Sequence, residues 1–170
     1  MKPLEHLLRQ LEAYVQEEIG AQARMLALLD AQEQAILAAE PRALLERTRA
    51  VEAELAHSAG RAQRRALLLD ELAALWKLGR GALTLGSVVE RCGSAAERLD
   101  RQRSELRAAA AKVTRKARRL GAAARTHQRL TCEALELLLA GGEPGSSPRS
   151  LSSAFPRSLR EGGVLVDAEA

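Results

Sequence analysis

Aromatic side chains are almost missing from this chain: Tyr14, Trp76 and Phe155 are the three among 170 residues. Sheet proteins draw heavily on aromatic and β-branched residues, so this shortage argues against a sandwich or barrel. Cysteine is equally scarce. Cys92 and Cys132 stand forty positions apart with no CxxC pairing, which excludes a disulfide scaffold and offers no zinc spacing. Both read as reduced, small apolar residues of the core. No window approaches the roughly 18 uninterrupted apolar residues of a membrane span. The first twenty residues contain Glu5, Glu12, Glu17 and Glu18 and no continuous apolar stretch, so they do not read as a secretory signal. The expected compartment is the cytoplasm.

What is abundant is Ala, Leu, Arg and Glu, the composition of long helices and coiled coils. At 170 residues and 46% apolar, the chain can build one core if those residues recur periodically. They do. From Leu4 to Ala38, Leu4, Leu8, Leu11, Val15, Ile19, Leu26, Leu29 and Ile36 are mostly three or four apart, one face of a helix interrupted at Gln22 and Glu33. Pro41 follows Glu40, where its locked φ and missing N–H suit the first turn of a new helix. A second stripe, Leu44, Val51, Leu55, Ala62, Leu69, Leu72, Leu75 and Trp76, runs to the glycines at 79 and 81, with Gly60 a local weak point.

Thr84 is a fitting N-cap for a short turn whose face is Leu85, Val88 and Val89, and this turn is expected to plug one end of a bundle. Ser94-Ala95-Ala96-Glu97 fits a capping box. A third helix then carries Leu99, Leu106, Ala110, Val113, Ala117, Leu120, Ala124, Thr131, Leu135 and Leu138 on its stripe. The expected fold is all-α: an elongated, antiparallel, coiled-coil-like three-helix bundle in residues 1–140. Its helices cover about 4–38, 41–78 and 95–140, with a connecting turn at 84–92, each long helix roughly 50 to 65 Å at 1.5 Å per residue. After Ala140 the sequence turns to Gly141-Gly142-Glu143-Pro144-Gly145-Ser146-Ser147-Pro148. Residues 141–170 therefore read as a disordered Gly/Ser/Pro-rich tail with apolar islands at Phe155 and at 164–166.

Chemistry is hard to find in this pattern. His6, His57 and His127 have no second His, Cys or Asp three or four residues away, the nearest such pairing being Cys132 five residues after His127. Gly79-Arg80-Gly81 follows a helix and lacks the Lys-Ser/Thr of a phosphate loop. Glu17 with Glu18, and Asp70 with Glu71, point about 100° apart on their helices and read as surface charge. The chain is expected to bind rather than catalyse, with no cofactor, no metal and no catalytic residue.

Two features could bind. Positions 98–129 hold eleven Lys or Arg against Asp100 and Glu105, a net +9, whereas residues 1–57 hold ten acidic against six basic residues, a net −4. Such a helix suits nucleic acid or an acidic membrane face. It equally suits packing beside the acidic first helix, with charges paired across the seam as in antiparallel coiled coils; the absence of interleaved aromatics and of a docking motif favours this second reading. The other feature is the run from Leu130 to Leu139. Leu135 and Leu138 continue the core stripe, while Leu130, Ala134 and Leu137 form an adjacent row that Leu139 widens. Either this helix end is buried between the other two, or it is a face for a partner's amphipathic helix.

With these parts in order, the chain resembles the FlgN family of flagellar export chaperones, which hold hook-filament junction proteins in the cytoplasm before type III secretion. The resemblance spans about residues 4–140. It is carried by the opening run 4–11, by Leu37-Ala38-Ala39-Glu40-Pro41-Arg42-Ala43-Leu44-Leu45-Glu46, by the loop Leu83-Thr84-Leu85-Gly86-Ser87-Val88-Val89, and by the leucine-rich close 130–139. The chain departs from the family pattern at Ala50-Val51-Glu52, where a Lys-Glu pairing is usual, and at 126–129, where Asn residues are usual. The resemblance implies protein cargo captured helix on helix, without cofactor, by Leu130, Leu135, Leu137, Leu138 and Leu139. Two other functions stay open: a nucleic-acid-binding protein using segment 98–129, and a structural coiled-coil dimer.

Overall fold

The computed structural model describes residues 2–140, and all of its regular elements there are helical. Helix α1 spans Lys2–Leu37, α2 spans Pro41–Leu75, α3 is the short Leu85–Cys92, a 3-10 turn covers Gly93–Ala96, and α4 runs Glu97–Ala140. The tail expected at 141–170 lies outside the described residues. The chain forms two compact units, one up to Leu120 and one from Gly121 on, and each is taken by itself below.

In the first unit α1 and α2 form an antiparallel hairpin. Contacts descend α2 as they ascend α1, from Glu17 with Arg64 at 2.7 Å, through Glu18 with Arg61 at 2.7 Å, to Gln32 with Thr48 at 3.0 Å. The hairpin turns where Ala39 adopts φ 53°. There the Glu40 N–H donates to the Ala35 carbonyl at 3.0 Å and the Ala39 N–H to that of Ile36 at 3.1 Å. This pairing closes the end of α1 as a Schellman motif, with alanine at the left-handed position that glycine usually fills. Pro41 begins α2 as its spacing suggests.

The second helix ends earlier than its following glycines suggest. Lys77 takes φ 57°, and the Leu78 N–H donates to the Ala73 carbonyl at 2.8 Å, so α2 closes at Leu75 by the same motif before Gly79 is reached. Asp70, read from sequence as surface charge, accepts the Gly81 N–H at 3.0 Å and ties this loop back to α2. Thr84 does cap α3: its Oγ1 accepts the Ser87 N–H at 3.1 Å, while Ser87 Oγ accepts the Thr84 N–H at 2.8 Å. The capping box expected at Ser94 is replaced by the 3-10 turn, so α4 starts at Glu97.

Two apolar clusters hold this unit together. The larger joins Leu8, Leu11 and Val15 of α1 to Leu72 of α2, Val88 of α3 and Leu99 of α4, so α3 does close an end of the bundle. Each fully buried leucine or valine there contributes about 1.5–3 kcal/mol. The smaller cluster consists of Met25, Leu29 and Leu120, with Val51 and Val113 against it. Between them α1 continues its three-and-four spacing from Val15 through Glu18 and Gln22 to Met25. Polar residues thus occupy seam positions, while Leu26 is only half-buried and Ile36 is exposed. Ile19 still packs against the larger cluster, but the periodic stripe read on through Leu26 and Ile36 drifts off the seam, because the contacts follow a coiled-coil spacing closer to 3.5 than to 3.6.

Candidate functional site: the leucine-rich end of α4

The polar layer in α1 and α2 is an ion-paired cluster. Arg61 donates to Glu18 Oε2 at 2.7 Å and lies 3.0 Å from Glu54 Oε1, with all three side chains only 12–14% exposed. The Glu54 contact lacks hydrogen-bond geometry and is electrostatic. Burial opposes the charge on Arg61, but the two carboxylates outweigh it and hold its pKa above the ordinary value. Burial also pushes the nearby Tyr14 phenol up, and Glu18 adds to the effect. Glu18 is therefore a seam residue, not surface charge. No sequence pattern marked this cluster; the one available signal was that Glu18 falls on the apolar spacing of α1.

The basic segment 98–129 is partly consumed by α1. Arg98 pairs with Glu12 at 3.6 Å, Lys116 with Asp30 and Glu33, and Arg119 with Glu33 at 2.9 Å. Seam pairing is thus found, although α1 and α4 run parallel rather than antiparallel: Gln16 to Gln102 and Glu33 to Arg119 keep one offset of 86 positions. The hydrogen bond from Lys116 holds the Glu33 carboxyl below its usual pKa, despite some desolvation, and Arg119 adds to this. Hydrogen bonds to Asp30 and Glu33 raise the pKa of Lys116 in return.

The second unit contains the remainder of α4, and there every predicted binding residue is exposed. Leu130 and Leu135 are 54% and 53% exposed, and Leu137, Leu138 and Leu139 are 69–75% exposed, with Ala134 exposed beside them. The alternative of a buried helix end does not hold, and Leu135 and Leu138 do not continue a buried stripe: burial on α4 stops at Leu120. At 100° per residue the leucines span roughly 200° of the circumference, about twice the apolar stripe of an ordinary surface helix. The opposite face carries Arg125, Arg129, Glu133 and Glu136, with Arg129 3.6 Å from Glu133. Thr131 donates to its own helix, at the His127 carbonyl.

Other candidates are modest. His6, His57 and His127 are exposed, and no group of His, Cys, Asp or Glu among the described residues could hold a metal. Cys92 and Cys132 are free and partly buried, and burial raises the Cys92 pKa. A shallow opening of about 330 Å³ lies between Ala23 and Leu26 of α1 and Ala108 and Ala109 of α4. Among the described residues no helix is long and apolar enough to cross a membrane.

Fold and surface together define an all-helical bundle protein whose most prominent described feature is an uncovered apolar helix face. The family model described as FlgN protein matches residues 1–147, and the chain belongs to that family. Its members are flagellar export chaperones of type III secretion, not enzymes, and protein cargo follows from membership. No curated protein and no solved structure matches the chain.

Proposed function

We propose that this chain holds hook-filament junction proteins in the cytoplasm before flagellar type III secretion, capturing their amphipathic C-terminal helices on the face formed by Leu130, Ala134, Leu135, Leu137, Leu138 and Leu139. In this reading residues 1–140 are the binding domain and 141–170 a tail. One observation carries it: five leucines on two and a half turns of helix are each more than half exposed. A face of that kind suits an amphipathic helix, whose anchors at i, i+3, i+4 and i+7 would take its leucines out of water. Covering the apolar end of an unassembled subunit would block its premature polymerisation. Recognition of this sort is van der Waals and hydrophobic, so it calls for no cofactor.

The test is titration calorimetry of the full chain, and of the chain truncated after Arg129, against C-terminal fragments of the junction proteins. Binding by the full chain that is lost on truncation, with the remaining helices intact by circular dichroism, is the expected result. A folded full chain that binds none of the fragments would refute the assignment.

A further inference from the structure

Seam pairing leaves much of the positive charge of α4 in water. Positions 101–120, all within the first unit, hold eight Lys or Arg and one acidic residue, Glu105. Lys116 and Arg119 are drawn into contact with α1, and Arg103 with Asp100. Arg101, Lys112, Arg115 and Arg118 are exposed, and no ion pair or hydrogen bond engages their side chains among the described residues. At 100° per residue all four lie within about 60° of the direction opposite Leu99, Leu106 and Val113, by which α4 packs on the two clusters. Ser104, Ala108 and Ala111 fill the space between them. Four cations thus share one outward side over about 26 Å of helix axis.

The chemistry of this side selects its partner. A protein interface is anchored by buried aromatic or large apolar groups, and a membrane-surface helix sets Leu, Phe or Trp beside its basic residues. Nothing apolar larger than alanine stands among these four. Single-stranded nucleic acid is held by aromatic stacking as well as by charge, and this side carries no aromatic ring. The phosphates of a duplex ask only for cations and close approach. Three of the four cations are arginine, whose planar fork meets two phosphate oxygens at once, and the small residues between them let a backbone come near. The major groove of B-form DNA, about 12 Å wide, admits a helix of about 10–12 Å diameter, whereas that of an RNA duplex is too deep and narrow for side chains to read.

We propose that the outward side of α4 from Arg101 to Arg118 binds the phosphate backbone of duplex DNA without sequence preference. Arg101, Lys112, Arg115 and Arg118 each neutralise one phosphate. Contacts of this kind position a protein on DNA and carry no sequence information. None of the leucines of 130–139 takes part, so the contact stands whether or not those residues capture cargo.

The experiment is fluorescence anisotropy of the full chain with a labelled, mixed-sequence DNA duplex of about 20 base pairs, in roughly 50 to 200 mM salt. Four neutralised phosphates predict an affinity that falls by about 150-fold across that range. In Arg101→Gln/Arg115→Gln/Arg118→Gln, with helix content unchanged by circular dichroism, one phosphate contact remains. Binding at the lowest salt is then expected to weaken by about thirtyfold or more, and the fall with salt to shrink to about 3.5-fold. The control Arg42→Gln/Arg47→Gln/Arg49→Gln removes the same charge from exposed positions of α2 and should bind within about threefold of the parent. No binding at the lowest salt, or equal weakening in the two variants, overturns the proposal. Tighter binding to the single strand, to an RNA duplex of the same sequence, or to vesicles of anionic lipid would overturn it in favour of that partner.

Discussion

The side-chain amide of Gln102 donates to Gln16 Oε1 at 3.2 Å across the α1/α4 seam, joining residues 86 positions apart. The same offset recurs between Glu12 and Arg98, Asp30 and Lys116, and Glu33 and Arg119, so one polar pair and three ion pairs report one parallel register. Gln102 is nevertheless buried, and its Oε1 has no hydrogen-bond partner. An unsatisfied buried acceptor costs about 1–3 kcal/mol. Gln102→Leu is therefore expected to raise the urea midpoint, with a gain of about 1 kcal/mol. A loss of stability would mean the Gln16 contact outweighs the orphaned oxygen.

Arg61 separates the carboxylates of Glu18 and Glu54 in a largely covered layer. Arg61→Met leaves both without their main counter-charge and is expected to destabilise by about 3 kcal/mol, the lower end for breaking a buried pair. Adding Glu18→Leu and Glu54→Leu should restore stability to near the parent value, because apolar groups then fill the seam. Denaturant unfolding of the single and triple variants checks both statements. A triple variant no better than the single would show that the layer is held by something other than charge.

Glu33 and Lys116 predict a pH dependence of defined sign. The folded-state pKa of Glu33 lies below its ordinary value, so its contribution is present above the ordinary carboxylate range, about 4.3, and is lost as pH falls through the folded value. Lys116 is raised, so its contribution is complete below about 10.4 and disappears only as pH rises through the folded value. Urea midpoints measured from pH 6 to pH 3 should fall less steeply in Glu33→Gln than in the parent. Parallel slopes would dismiss the pair as a source of acid sensitivity.

Ala39 and Lys77 hold positive φ at two helix ends, where glycine avoids the clash of a Cβ with the backbone. Ala39→Gly and Lys77→Gly are each expected to stabilise by about 0.5 kcal/mol, the relief exceeding glycine's greater freedom when unfolded. Thermal unfolding would detect the additive gain of the double variant.

Leu135 and Leu138 are exposed, so Leu135→Asp with Leu138→Asp is expected to leave stability within about 0.5 kcal/mol. Binding of junction-protein fragments should nonetheless weaken about a hundredfold or more, the loss of two apolar anchors. Unchanged affinity in the folded double variant would remove these residues from the site.

Much of this protein was determined by the sequence alone, because helix formation is local. Leucine spacing, Pro41 at the start of α2 and Thr84 ahead of α3 act within one or two turns, and each recurs in the structure where its spacing places it. The leucines of 130–139 were visible for the same reason. Their exposure was not, since periodicity states which residues share a face and not whether another helix covers it. The tertiary structure decided that α1 and α4 run parallel, that Glu18 enters a seam with Arg61, and that burial along α4 stops at Leu120. Those outcomes depend on which side chains meet from positions 40 to 90 residues apart, and such a pairing is set by the packing of whole helices rather than by any run of neighbours.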